Sequence, residues 1–155
     1  MCPKTEKQMQ NNPETKAENN NVLLVEDSSD DVELIKRKIK SRQINCKIFV
    51  AKDGEEALDY MQRKDKYQDK EKFPDLDLIL LDIRMPKKNG IEVLKAIKSD
   101  ETLKDIPVVM LTVSTIESDV FKSFDYGCDH YIAKSVGFDK FEVTLEPIIK
   151  YYLRK

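Results

Sequence analysis

The sequence predicts an α/β fold, a parallel sheet of five strands doubly wound by five helices. Short runs of Val, Ile and Leu are separated by segments whose apolar residues recur every three or four positions, the alternation that βα units produce. The runs are continuously apolar rather than alternating, which marks strands covered on both faces. Length agrees: 155 residues, 40% hydrophobic and 36% charged, suffice for one core and are too few for two sizeable ones.

Residues 1–20 are nearly all polar, with almost no side chain able to offset the entropy of ordering, and read as a flexible tail ahead of a domain over 21–155. The predicted strands are Val22 to Val25, a mixed run from Cys46 to Ala51, Leu78 to Leu81, Val108 to Leu111 and Tyr131 to Ala133. Between and after them lie five amphipathic patterns: Val32, Ile35 and Ile39; Ala57, Tyr60 and Met61; Ile91, Leu94 and Ile97; Val120, Phe121 and Phe124; Phe141, Leu145 and Ile148. Ser114 with Glu117 resembles a capping box ahead of the fourth helix, and Gly127 stands where a left-handed terminator belongs. Pro147 falls inside the last pattern and is expected to kink it.

Composition narrows the function. A formal net charge of −2 provides no general attraction to nucleic acid or anionic lipid. Cys2, Cys46 and Cys128 are odd in number and far apart, without a CxxC pair, so they suggest neither a disulfide framework nor a zinc knuckle. No run of 18 apolar residues occurs, and the N-terminus lacks the apolar stretch of a signal peptide. A reducing, cytoplasmic setting with no membrane contact is expected.

In an open α/β sheet, ligands bind beyond the carboxyl ends of the strands. The first polar residues after the runs are Glu26 and Asp27, Asp82, Thr112, and Lys134. The flavodoxin-like order 2-1-3-4-5 would set strands 1, 3 and 4 side by side and crowd Glu26, Asp27 and Asp82 into one crevice. Two unit charges about 4 Å apart repel by roughly 4 kcal/mol at an effective dielectric of about 20, so either an acid takes up a proton or a hard divalent cation binds. With no His or Cys in the set, Mg2+ fits better than zinc or copper. A cation with open positions, the Lys134 ammonium and the Thr112 hydroxyl together suit an acyl phosphate on Asp82, since a carboxylate is an able nucleophile toward phosphoryl groups.

The segments VLLVEDS, LILLDIRMPKKNG, VVMLTVS and YIAKS, in this order, resemble the response regulator receiver domain of the CheY-like superfamily over essentially Asn21 to Lys155. The resemblance implies Asp82 as phosphoacceptor, Mg2+ held by Asp27, Asp82 and the backbone carbonyl of Arg84, and Glu26 as an outer acid. Thr112 and Lys134 would contact the phosphoryl group, and Tyr131 would be the switch aromatic that follows Thr112. The segment from Lys64 to Asp75, with YIAKS and DIRMPKKNG, is most similar to small stand-alone regulators of phytochrome-type sensor kinases. Expected partners are therefore a sensor histidine kinase and a downstream protein. No output domain is expected after the last helix, so signalling would run through the face of the fourth helix, fifth strand and fifth helix. Phe138, Phe141, Tyr151, Tyr152 and Leu153 supply apolar material there that suits a homodimer.

Two departures from the family pattern carry expectations of their own. Receivers commonly have Pro after the active-site Lys, reached through a cis peptide; here Ser135 follows Lys134, leaving that loop's geometry open. Val113 is larger than the residue common after the switch hydroxyl, which implies slow loss of the phosphoryl group. Two rival readings are a receiver-like module that is never phosphorylated and a phosphatase of the haloacid dehalogenase type. The latter places a second acid two residues after its nucleophile, where this chain has Arg84.

Overall fold

The computed structural model describes residues 20–153 except Pro86 and residues 114–116; the side chains of Glu117, Ser118 and Phe121 are also outside the description. The expected tail, apart from its last residue, and Ser114 of the expected capping pair thus lie outside the described residues.

The elements alternate as β1 Asn21–Val25, α1 Ser29–Ser41, β2 Lys47–Ala51, α2 Gly54–Met61, a 3-10 turn Asp65–Gln68, β3 Leu78–Leu81, α3 Gly90–Lys98, β4 Val108–Thr112, α4 Glu117–Asp125, β5 His130–Ala133, α5 Lys134–Asp139 and α6 Leu145–Tyr152. All strand pairs are parallel, in the order β2-β1-β3-β4-β5. Alternate side chains of the buried strands feed two cores. Val22, Leu24, Leu78, Leu80, Val109 and Leu111 meet Ile35 and Ile39 of α1 and Leu145 and Ile149 of α6. Leu23, Val25, Ile79, Leu81, Val108 and Met110 meet Ala57, Tyr60 and Met61 of α2 and Val93, Leu94 and Ile97 of α3. This two-sided burial is why β1, β3 and β4 are apolar at nearly every position, while the edge strands β2 and β5 are only partly buried.

Capping sets the helix starts. Ser28 caps α1, Asp53 caps α2, and Asn89 forms a reciprocal capping box with Glu92 on α3. Helix α4 ends in a Schellman motif: Gly127 has φ +95°, its N–H donates to the Phe124 carbonyl at 3.0 Å, and the Cys128 N–H donates to that of Ser123 at 3.0 Å.

The C-terminal pattern departs from expectation. One helix through Phe141, Leu145 and Ile148 was predicted; instead α5 starts at Lys134, immediately after β5, and α6 begins only at Leu145. Pro147 is the third residue of α6, in the turn whose N–H groups have no intrahelical acceptor, so it costs the helix no hydrogen bond and causes no kink there. Phe141 is buried from the turn that precedes α6.

A feature the residue pattern did not show is the packing of the segment after α2. Tyr67 stacks on Tyr60 with ring centroids 5.2 Å apart, and Phe73 meets both rings edge-on at 5.5 and 4.7 Å. The Arg63 guanidinium donates to the carbonyls of Tyr67 and Phe73 and to the Asp75 carboxylate. The long excursion from α2 to β3 is therefore a packed annex of the core.

Gly90 is required by close approach: a Cβ there would overlap the carbonyl of Asp82. Gly90→Ala is therefore expected to lose about 2–3 kcal/mol in urea unfolding, the range of an overpacked core, and to perturb the amide resonance of Asp82.

Candidate functional site

Parallel register brings the strand ends level. Val25 pairs with Leu81, Leu81 with Met110, and Thr112 with Ala133, so the residues just beyond these strands share one edge. The ladder continues one step further: the Glu26 N–H donates to the Ala51 carbonyl at 2.9 Å and the Asp82 N–H to that of Val25 at 3.1 Å. These bonds fix the backbone from which both carboxylates project.

Glu26, Asp27 and Asp82 each offer a carboxylate oxygen, and the three atoms lie within 4.8 Å of one another. Glu26 and Asp82 are buried, whereas Asp27 is exposed to solvent. Such an all-oxygen set, open to water on one side, fits a hard divalent cation that keeps part of its hydration shell. The Arg84 N–H donates to Asp82 Oδ1 at 3.3 Å, holding the loop after β3 against the carboxylate.

Lys134, the first residue of α5, brings the positive charge. Its Nζ lies 2.8 Å from Glu26 Oε1, 2.8 Å from Asp31 Oδ2 and 3.2 Å from Asp82 Oδ2. Burial opposes this charge, but hydrogen bonds to Asp31 and Glu26 and the nearby Asp82 charge hold the ammonium above its ordinary range. Glu26 responds differently: burial pushes its carboxyl up to about 7, with Asp82 adding to the rise and the Lys134 hydrogen bond opposing it.

Thr112 is fully buried at the end of β4, and Tyr131 is half-buried on β5 opposite Met110, packed against the core that holds α2 and α3. The Arg84 side chain is about half exposed and reaches Asp119 of α4 at 3.1 Å. The pair lies across a cleft of about 640 Å³ lined by Asp27, Ile83, Met85 and Asn89 among others. No cis peptide occurs among the described residues, so the Lys134–Ser135 bond is trans and continues into a helix. His130 packs edge-on against Tyr152, away from the acids.

Sequence reasoning missed Asp31. Its one available signal was position, an acid in the first turn of the helix that follows Glu26 and Asp27. A first-turn acid is ordinarily a capping or helix-dipole residue, and nothing in the sequence joins it to Lys134 more than a hundred residues later.

A pH dependence follows. The rise of the Glu26 carboxyl from 4.5 to about 7 in the fold is worth on the order of 3 kcal/mol. Because the folded state holds this proton more tightly, the contribution is fully present below about pH 4.5 and is lost as pH rises toward about 7. In metal-free urea unfolding, Glu26→Gln should therefore gain on the wild type between pH 4.5 and 7.5, by on the order of 1–3 kcal/mol.

The model of the response regulator receiver domain matches residues 22–146. Response regulator Rcp1 of Synechocystis sp. is 41% identical over 114 residues, covering 74% of this chain and 76% of the relative. The crystal structure of a phosphorylated cyanobacterial phytochrome response regulator, RcpA, superposes with a TM-score of 0.79 at 37% identity, covering 87% of this chain and 94% of that one. The Mn2+-bound form of Rcp1 superposes with a TM-score of 0.77 at 36% identity, covering 88% and 96%. The five-stranded sheet with its acidic carboxyl edge, the family match over most of the chain and these relatives agree: the chain belongs to the response regulator receiver domain family of two-component signalling.

Proposed function

We propose that this protein accepts a phosphoryl group on Asp82 from a sensor histidine kinase and signals through protein contacts. The observation that carries the reading is the convergence on one buried carboxylate: the Lys134 ammonium 3.2 Å from Asp82 Oδ2, the Arg84 N–H on Oδ1, and Glu26 and Asp27 alongside. The P–O bond to an Asp82 oxygen forms as the P–N bond of a phosphohistidine breaks, and the electron pair leaves with the imidazole, which then takes up a proton. Positioning and charge neutralisation supply most of what such a transfer needs.

Asp27, Asp82 and the Arg84 carbonyl would hold Mg2+, with Glu26 as an outer acid; the ion, when bound, neutralises charge developing on the phosphoryl oxygens. Lys134 neutralises it from the opposite side, and the Thr112 hydroxyl donates to a phosphoryl oxygen. Movement of Thr112 frees room for Tyr131 to reorient, which biases the face made by α4, β5 and α6. That face carries exposed Phe124 and Tyr151 and an apolar hollow lined by His130, Pro147, Ile148, Tyr151 and Tyr152, material suited to a homodimer or a downstream protein.

Similarity to the cyanobacterial phytochrome response regulator RcpA supports a phytochrome-type kinase as donor. Membership of the receiver family supports a cytoplasmic site of action; among the described residues no helix is long and apolar enough to cross a membrane. Val113, two-thirds exposed beside Thr112, supports slow self-dephosphorylation by crowding the approach of water.

With acetyl phosphate and Mg2+, intact mass is expected to show one added phosphoryl group on the wild type and none on Asp82→Asn. Lys134→Ala should form the adduct about 100-fold more slowly. Absence of a wild-type adduct, together with failure to bind beryllofluoride, would overturn the reading. A homodimer through the α4-β5-α6 face should appear in light scattering after phosphorylation and be lost in Tyr151→Asp.

A further inference from the structure

The Lys134 ammonium has three N–H donors, and three carboxylates accept them. The two short contacts, 2.8 Å each, go to Glu26 and Asp31; the long one, 3.2 Å, goes to Asp82. We propose that Asp31 is a positioning residue that aims the Lys134 ammonium at Asp82 and keeps it there beside a bound divalent cation. This rests on the reading of Asp82 as the phosphoacceptor.

Both short partners are anchored independently of Asp82. Glu26 Oε2 accepts the Ser28 N–H at 3.1 Å, and Asp31 stands in the first turn of α1, where its own N–H donates to the Ser28 hydroxyl at 3.3 Å. A phosphoryl oxygen arriving on Asp82 would therefore replace only the longest contact and leave the two short ones in place. Lys134 is itself buried, so packing holds its stem while the carboxylates set where the ammonium points. It opens a six-residue helix whose N-cap, Ala133, offers no side-chain hydrogen bond. Unanchored, the ammonium would sample several rotamers and engage Asp82 in only some of them.

Asp31 differs from the other two partners in one respect. Glu26 and Asp82 belong to the acidic group whose oxygens could hold a metal ion; Asp31 does not. When a cation occupies that group, its charge repels the ammonium and competes for two of the three carboxylates. The Asp31 carboxylate is the one partner left to Lys134 alone, so it offsets the repulsion of two cations held a few ångströms apart.

A simple charge role and a positioning role predict opposite signs. Removing a negative charge near the site attracts an anionic donor and would speed phosphorylation, whereas losing the anchor slows it. With acetyl phosphate and Mg2+, and adduct formation followed by intact mass, Asp31→Asn is expected to react about 10-fold to 100-fold more slowly than wild type, the usual cost of losing an orienting partner. Asp31→Glu should recover to within about fivefold, and Asp30→Asn, an exposed acid in the same turn, should stay within about threefold. A second readout is independent of turnover: the Lys134 ammonium 15N signal, identified by its loss in Lys134→Gln, should be protected in wild type with Mg2+ and exchange-broadened in Asp31→Asn. An Asp31→Asn protein that reacts at or above the wild-type rate, or keeps the protected ammonium signal, overturns the role of Asp31 while leaving Asp82 as acceptor. A wild type that forms no adduct overturns the reading of Asp82 and this role with it.

Discussion

An ammonium placed among carboxylates at the carboxyl edge of the sheet is the interaction on which the site depends. Four acids, Glu26, Asp27, Asp31 and Asp82, are balanced locally by Lys134, with the side chains of Glu26 and Asp82 almost wholly out of water. Carboxylates this close repel strongly at the effective dielectric of a protein crevice. The chain relieves the repulsion twice over, by the buried ion pairs and by holding the Glu26 carboxyl near neutrality in its pKa. The residual negative charge suits a divalent cation, and in the proposed function the cation and the lysine together would receive the phosphoryl group.

The fold delivers these groups through register rather than through local motifs. Equal strand ends place Glu26 and Asp82 on adjacent strands, with backbone hydrogen bonds to the neighbouring strand one residue beyond each ladder. The Asp82 loop is then folded back so tightly that α3 begins with Gly90 directly over the Asp82 carbonyl. Lys134 reaches the same point because β5 passes without a linker into α5, which turns the chain over the sheet edge. Movements of α1, α3 or α5 relative to the sheet would each change the distances around one carboxylate, which gives the site mechanical contact with both layers of the domain.

A second tie runs from the Asp82 loop to the outer face. Arg84 touches Asp82 with its N–H and Asp119 of α4 with its guanidinium. A partly exposed pair of this kind is weak in itself, but it joins the loop beside the acids to the helix that borders β5. The aromatic annex around Tyr60, Tyr67 and Phe73 sits on the same side of the sheet as α2 and α3.

The sequence by itself determined the strands, their burial on two faces, and the set of polar residues that ends them, because a covered parallel strand must be apolar throughout and its first polar residue marks its end. It also placed Gly127 as a helix terminator, since the left-handed backbone needed there favours glycine. The C-terminal segment was legible only in part: Phe141 shares the helical spacing of Leu145 and Ile148 but is buried from a turn, and Pro147 is harmless because the helix starts just before it. Spacing records which residues face the core, and it is silent on where hydrogen bonding begins. Tertiary structure alone decided the geometry at Lys134, the Arg84 contact to Asp119, the packing of Tyr67 and Phe73, and the recruitment of Asp31. In each case the partner lies at a sequence distance or in a direction that periodicity does not encode, and becomes a neighbour only when the sheet closes against its helices.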